Sequence, residues 1–288
     1  MGKFDKMKTK DLDYNNKEEA LEIVNRFKEK YLHGNIEELK DFSFWYILTD
    51  EEFNGVSFDG NNFDGDRTRI VYAIDKLLYD ERKIPNFTLG PKGNYTGDTI
   101  NTFRTLFGNR FTGSEQNFEK DFLNNDKTRI ELKNTFFRAY QQIGNFFILP
   151  NSTIKNGEKN ESLNTYRGTN REYKDYFDVF LNNLYTEKDK TIAALKQEGT
   201  NKVFFNDFSA IEKFRELFYL EDYVNLNFNH PKTKNNSKCN LRYFNALGID
   251  KTRYLDFALA YIEKSTELIN KRSVKIIEEL KLKYPELK

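Results

Sequence analysis

Apolar residues fall mostly at helical spacing along this chain. In residues 17–32, Ala20, Val24, Phe27 and Tyr31 recur with the 3.6-residue period, and Gly34 closes the element. Residues 36–53, with Leu39, Phe42, Phe44, Trp45 and Leu48, continue as mainly helical up to Asn54-Gly55. Residues 67–79 place Ile70, Ala73, Ile74, Leu77 and Leu78 on one face. Asp98 is expected to cap a helix bearing Ile100, Phe103, Leu106 and Phe107, its carboxylate accepting the orphan amides. Ser114 opens a short helix, and Asp126 caps one whose stripe is Ile130, Leu132, Phe136, Tyr140 and Ile143. Residues 173–184 form an aromatic-rich amphipathic helix, 188–198 a weaker one, and Asp207 caps another through 224. Asp250 caps a long helix to about residue 283, with Tyr254, Ala258, Tyr261, Leu268, Ile269, Ile276 and Leu280 facing inward. Its heptads are imperfect, so it is expected to lie across the body of the protein and not to form a coiled coil.

The strand signals are few. Residues 143–151 read as a buried strand stopped by Pro150, and residues 56–58 and 203–205 are short candidates. Between residue 151 and the helix at 173 the chain is polar, and 164–170 is read as the end of a long loop. The expected class is α+β: a mainly helical domain with a small sheet and a long C-terminal helix. No repeat and no Pro/Gly/Ser linker divides it, so residues 17–288 are taken as one globular domain behind a loosely ordered tail, residues 1–16.

Composition adds an aromatic core: 27 Phe and 17 Tyr stand against 1 Trp and 2 Met. Buried tyrosines need partners for their hydroxyls, which places many at the core's edge. The 46 basic and 45 acidic residues nearly cancel, so global charge gives no case for nucleic-acid or membrane-surface binding, and a polyanion site would be a local patch. The sole cysteine, Cys239, fits a reducing cytoplasm and is read as a bystander in a polar loop, residues 225–240. No signal-like or membrane-spanning apolar run is present.

Most familiar chemistries fail on their residues. His33, His230 and Cys239 cannot assemble the usual zinc ligand set, and no Gly-x-Ser-x-Gly elbow supports a Ser-His-Asp triad. The acidic run at 59–66 puts Phe63 and Ile70 where a calcium loop needs oxygen ligands. Gly90-Pro-Lys-Gly-Asn-Tyr-Thr-Gly97 has its lysine too early for a phosphate loop, and Asp98 stands where that lysine belongs. Asp59, Asp64, Asp66, Asp98, Asp175 and Asp178 could serve a metal-dependent nuclease, yet no Asp/Glu-x-Lys core accompanies them. No metal is expected, and no cofactor is identified.

What stands is Asn164-Thr-Tyr-Arg-Gly168. Arg167 offers a planar fork suited to phosphate or carboxylate, and Gly168 permits close approach. Asn164, Thr165 and Tyr166 add hydrogen-bonding groups. The bland alternative is that Arg167 pairs with a carboxylate such as Asp175 or Asp178 and pins the loop. The Tyr-Arg-Gly tripeptide also resembles the arginine strand of ADP-ribosyltransferases, which would further require a Ser-Thr-Ser-like strand and a downstream glutamate. Only Ser209 and Glu221 offer themselves, and both are read on one helix.

Gly97-Asp-Thr-Ile-Asn-Thr-Phe103, Ile143-Gly-Asn-Phe-Phe-Ile-Leu-Pro150, Asn164-Thr-Tyr-Arg-Gly168 and Tyr176-Phe-Asp178 occur in an order that resembles a prokaryotic family, domain of unknown function 6994. Leu220-Glu-Asp-Tyr-Val224 and residues 269–276 extend the likeness, which spans about 97–276. The resemblance implies that Arg167, Gly168 and Asp178 belong to a shared signature and supplies no activity.

The resulting expectation is a cytoplasmic bacterial or phage protein that binds a nucleotide or other phosphorylated ligand through Asn164, Thr165, Tyr166, Arg167 and Gly168. Asp98 and Asp178 would be the acid/base groups, and a nucleotide- or nucleic-acid-directed enzyme of phage defence is the extension. The rival is a noncatalytic protein- or nucleic-acid-interaction module working through the basic C-terminal helix.

Overall fold

A computed structural model describes residues 12–54, 65–79, 83–90, 92–101, 126–169, 177–186, 189–223 and 251–288. The class is α+β, mainly helical, with two small antiparallel sheets and a long C-terminal helix. Helix α1 spans Lys17–Tyr31, with Asn16 accepting from the Glu19 amide, Glu18 and Glu19 in the first turn, and Lys28 and Lys30 in the last. Both ends thus complement the helix dipole. The chain leaves it through His33 and Gly34, at φ of 49° and 78°. The expected helix at 36–53 is instead two 3₁₀ segments, Ile36–Lys40 and Phe44–Ile47. Its apolar residues cluster too closely for a single 3.6-residue stripe, and short turns bury Ile36, Leu39, Phe44 and Ile47 instead.

Helix α2, Arg69–Leu78, is capped by Thr68 and buried at Ile70 through Leu78, so it forms the middle of the molecule. It packs against α1. Strand β1, Tyr95–Thr99, pairs antiparallel with β2, Phe146–Pro150, in a register that sets Asp98 opposite Phe147. The expected strand at 143–151 therefore begins three residues late, after a 3₁₀ turn at Ile143–Asn145. Asp98 does not cap a helix: it lies inside β1, where its carboxylate accepts from the Thr99 amide at 2.8 Å. The apolar run proposed to follow it, 102–107, and the helix at Ser114 lie outside the described residues.

Helix α3, Lys127–Tyr140, is capped by Asp126 as expected. After β2, the supposed loop contains a hairpin, β3 (Ile154–Asn156) and β4 (Lys159–Glu161), turning at Gly157 with φ 64°. Helix α4, Leu163–Thr169, follows, then α5 (Phe177–Thr186), α6 (Lys190–Leu195) and α7 (Gly199–Asp207). The 203–205 strand is thus a correction: those residues are helical, with Phe204 and Phe205 packed together edge-on. Asp207 ends α7 and caps nothing. The next helix, α8 (Ile211–Leu217), starts at Ala210 and stops before Tyr219, whose φ is 57°. Helix α9, Lys251–Lys283, closes the chain; the site of its proposed cap, Asp250, and the loop with His230 and Cys239 lie outside the described residues.

One continuous core joins α1, α2, β1, β2 and the C-terminal half of α9. Its rings interlock around Phe27, which meets Phe42 and Phe53 edge-on, and around Phe218, which meets Phe147 and Tyr79. Helix α9 crosses directly over Gly144. A Cβ there would lie 2.0 Å from the Ile269 carbonyl oxygen and 2.4 Å from Ser273 Oγ, while the glycine amide donates to that same hydroxyl at 3.0 Å. Gly144→Ala must lift the helix off the turn at Ile143–Asn145. It is expected to cost about 1–3 kcal/mol as overpacking of a tight contact, read as a lowered urea midpoint at unchanged slope.

Candidate functional site

The capping of α4 begins with Ser162 and Thr165. The Ser162 amide donates to Thr165 Oγ1 at 2.7 Å, and the Thr165 amide donates back to Ser162 Oγ at 3.2 Å. This reciprocal cap starts a helix three residues before Tyr166-Arg-Gly. The tripeptide is therefore helical, and its side chains leave α4 in directions that a loop would not impose. Tyr166 is buried, and its hydroxyl hydrogen-bonds Asp189, the cap of α6. Burial and that carboxylate hold its pKa far above the usual phenol range.

Arg167 turns inward and is 2% exposed. Its Nη1 meets Asp98 Oδ2 at 2.5 Å and the Thr99 carbonyl at 2.8 Å, and Nη2 donates to the Ile100 carbonyl at 3.2 Å. The rings of Phe147, Phe177 and Phe180 lie 5.4, 5.8 and 5.0 Å from the guanidinium carbon. Aromatic faces supply negative potential to a cation withdrawn from water. The expected carboxylate partner is thus Asp98, 69 residues away, and not the Asp175 or Asp178 offered by proximity in sequence. Asp175 lies outside the described residues. Asp178 belongs to α5 and Gly168 to α4, but their immediate surroundings are also outside the described portion.

Asp98 sits at the rim, its side chain 16% exposed. Burial raises its pKa, against the pull of the Arg167 guanidinium, the Thr99 amide and the charge on Arg67. Asn164 is on the same rim. Its Nδ2 donates to the Gly97 carbonyl at 3.2 Å, and its Oδ1 accepts from Arg67 Nη2 at 3.0 Å. The backbone there is pressed tightly together: a Cβ on Gly97 would lie 1.9 Å from the Asp66 carbonyl oxygen. Of the predicted residues, Asp98, Asn164 and Arg167 therefore converge, Thr165 is exposed beside them, and Tyr166 points away toward α6. Arg67 joins the cluster unforeseen, since a lone arginine at a helix start carries no sequence signal of a site.

A second polar group lies deep under α9. Arg272 is 1% exposed; its Nε donates to the Phe218 carbonyl at 2.7 Å, and its Nη1 to the Gly144 and Phe146 carbonyls at 2.9 and 2.5 Å. Asp75 on α2 and Tyr79, the residue that caps the helix one turn later, are buried within its field. Among the described residues, Asp75 Oδ2 lacks a hydrogen-bond partner, and the Tyr79 hydroxyl lies beside the Arg272 guanidinium. Burial pushes the Asp75 carboxyl up to about 8, against the attraction of Arg272.

Three lysines on the outer side of α9 are matched by acids. Lys264 and Lys271 reach Glu267 at 2.8 and 2.7 Å, and Lys275 reaches Glu221 and Asp222 at 3.0 and 2.7 Å. Among the described residues no group of three His, Cys, Asp or Glu side chains could hold a metal ion, and no helix is long and apolar enough to cross a membrane.

A family model described as "Family of unknown function (DUF6994)" matches residues 107–276. No curated protein and no solved structure matches the chain.

Proposed function

The chain belongs to the DUF6994 family, and for this member we propose that the rim formed by Arg67, Asp98, Asn164 and Thr165 binds a nucleotide or another phosphorylated small molecule. The observation that carries the reading is the position of Asp98. A carboxyl group at the edge of the core, clamped by one buried guanidinium and lying in the field of a second, is still open to solvent on one side, and burial raises its proton affinity against the pull of both arginines. Carboxyl groups perturbed in this way, and within reach of solvent, are suited to proton transfer or to holding a ligand hydroxyl. Arg67 supplies the planar donor fork for phosphate, exchanging its bond to Asn164 for a charge-assisted one. Arg167 is the positioning residue: it fixes Asp98 and makes no contact with ligand. Asp178 carries no role in this proposal. A nucleotide-directed enzyme would use Asp98 as its acid/base group, so Asp98→Asn would retain binding and lose turnover.

The competing readings have less support. The cations of α9 are neutralised locally and Arg272 is buried, so that helix offers no basic face at these positions. The ADP-ribosyltransferase likeness requires its arginine on a strand, and Arg167 is on α4.

Thermal shift with ATP, NAD and inorganic phosphate tests the rim. A ligand at a hundredfold excess over its dissociation constant stabilises the native state by about 2.7 kcal/mol. The shift is expected in the wild type and expected to vanish in Arg67→Gln and Asn164→Ala, which leave the Asp98–Arg167 pair in place. No shift with any of these ligands, or an equal shift in both variants, sinks the proposal.

A further inference from the structure

At the C-terminal end of α2, the opposite end from Arg67, Lys83 and Lys283 converge on one carboxylate. Lys83 Nζ lies 3.2 Å and Lys283 Nζ 3.3 Å from the same Glu279 Oε1. Lys283 also donates to the Leu78 carbonyl at 2.8 Å, and Lys83 to the Tyr219 hydroxyl at 3.3 Å, with its ammonium 5.6 Å from the centre of that ring. The side chains of Lys83, Lys283 and Glu279 are 34%, 25% and 24% exposed, so the cluster is half withdrawn from water but open on one side. Two ammonium groups share one negative charge. From this geometry we infer that Lys283 is a nucleophilic amine that forms an imine with small anionic carbonyl compounds, such as 2-oxo acids or aldehyde acids.

A lysine is a nucleophile only when neutral, and a neighbouring cation with partial desolvation favours that form. Burial and the charge of Lys83 lower the pKa of Lys283, against the pull of Glu279. Tyr219 faces the same group, and behind it Tyr79 and Arg272 add one phenol and one positive charge. The neutral amine nitrogen attacks the carbonyl carbon, forming the C–N bond, and the carbonyl oxygen takes a proton to give a carbinolamine. The C–O bond then breaks with release of water as the nitrogen lone pair closes the C=N bond. Glu279, 3.3 Å from the nitrogen, accepts the proton that the amine loses. The unbalanced positive charge of the pair favours a carbonyl compound carrying a carboxylate.

Reductive trapping tests this on the whole protein. Glyoxylate with sodium cyanoborohydride at pH 7, followed by peptide mass spectrometry, reports carboxymethylation at each lysine. Lys283 is expected to react several-fold faster than Lys264 and Lys271, although both are more exposed. The lead is expected to shrink with neutral propanal in place of glyoxylate, and to disappear in Lys83→Gln, whose fold is checked by circular dichroism. Labelling of Lys283 no faster than Lys264 in the wild type overturns the proposal. A lead that survives Lys83→Gln overturns the paired-amine cause, and an equal lead with propanal overturns the preference for anions.

Discussion

Replacing Arg167 by alanine is expected to lower the unfolding free energy by about 3–5 kcal/mol, the usual cost of removing one partner from a buried ion pair. Three losses combine. Asp98 keeps a largely buried carboxylate without its counter-charge. The Thr99 and Ile100 carbonyls lose their donors at the end of β1. Phe147, Phe177 and Phe180 lose the flat cation that fills the space between them. Arg167→Lys recovers only part, because an ammonium is a point charge and cannot reach Asp98 and two carbonyls in one plane. Asp98→Asn is expected to cost less than Arg167→Ala, since the amide still accepts from the guanidinium and the rim is partly wet. Urea denaturation of the three variants gives the ranking. A loss below about 1 kcal/mol for Arg167→Ala, within the range of an exposed pair, would show that the arginine is not a brace. The same variant is consequently a poor probe of ligand binding, because lost affinity and lost structure would coincide.

The sequence pattern was most informative where one face of a helix carries the core. Residues 17–32, 67–79 and 126–140 are readable because each has a polar cap followed by an apolar stripe; Asp126 caps its helix, and Gly34 lies in the turn that leaves α1, whose C-cap is Leu32. The reading failed where tertiary contacts outweigh local preference. Val203-Phe-Phe205 has the composition of a strand, yet it is helical because Phe204 stacks among Phe208, Phe214 and Phe218. Asp98 has the residue type of a cap, but β2 offers it a ladder and Arg167 a partner. The helix at Tyr166-Arg-Gly had a readable signal in Ser162-x-x-Thr165, obscured by the polar run around it. Arg272 belongs by residue type to the basic C-terminal helix, yet Leu268 and Ile276, four residues to either side, lie on the inward stripe and place it there too. Asp75, the one acid in the apolar run from Ile70 to Leu78, was likewise legible as a buried charge. What no local pattern could show is pairing across 69 residues, which depends on how β1 and α4 are brought together.

Asp75 should make the protein less stable as the pH rises from 5 to 8, the opposite of ordinary acid denaturation. Its carboxyl has an unfolded value of 3.8 and a folded value of about 8. Between these limits the native state binds one more proton than the unfolded chain, so stability is fully present below pH 4 and is lost as pH rises through the folded value. One proton corresponds to a slope of about 1.4 kcal/mol per pH unit across that window. The carboxylates of Asp50 and Glu279, whose pKa values are lowered by lysine partners, contribute with the opposite sign and only at acid pH. Asp75→Asn mimics the protonated acid in shape and charge. It is expected to match the wild type near pH 3, to be more stable by a margin that grows as the pH rises through 5, and to be most clearly so at pH 8; the difference between the two curves cancels the other titrating groups. Equal stability of variant and wild type at pH 5 and pH 8, or a variant weaker at pH 8, would mean that Asp75 is ionised in the fold. It would then be the counter-charge of Arg272. A proton on Asp75 leaves Arg272 charged and held by three backbone carbonyls, so Arg272→Met is expected to be tolerated better at pH 5, where Asp75 is neutral, than at pH 8, where it would leave a buried carboxylate alone.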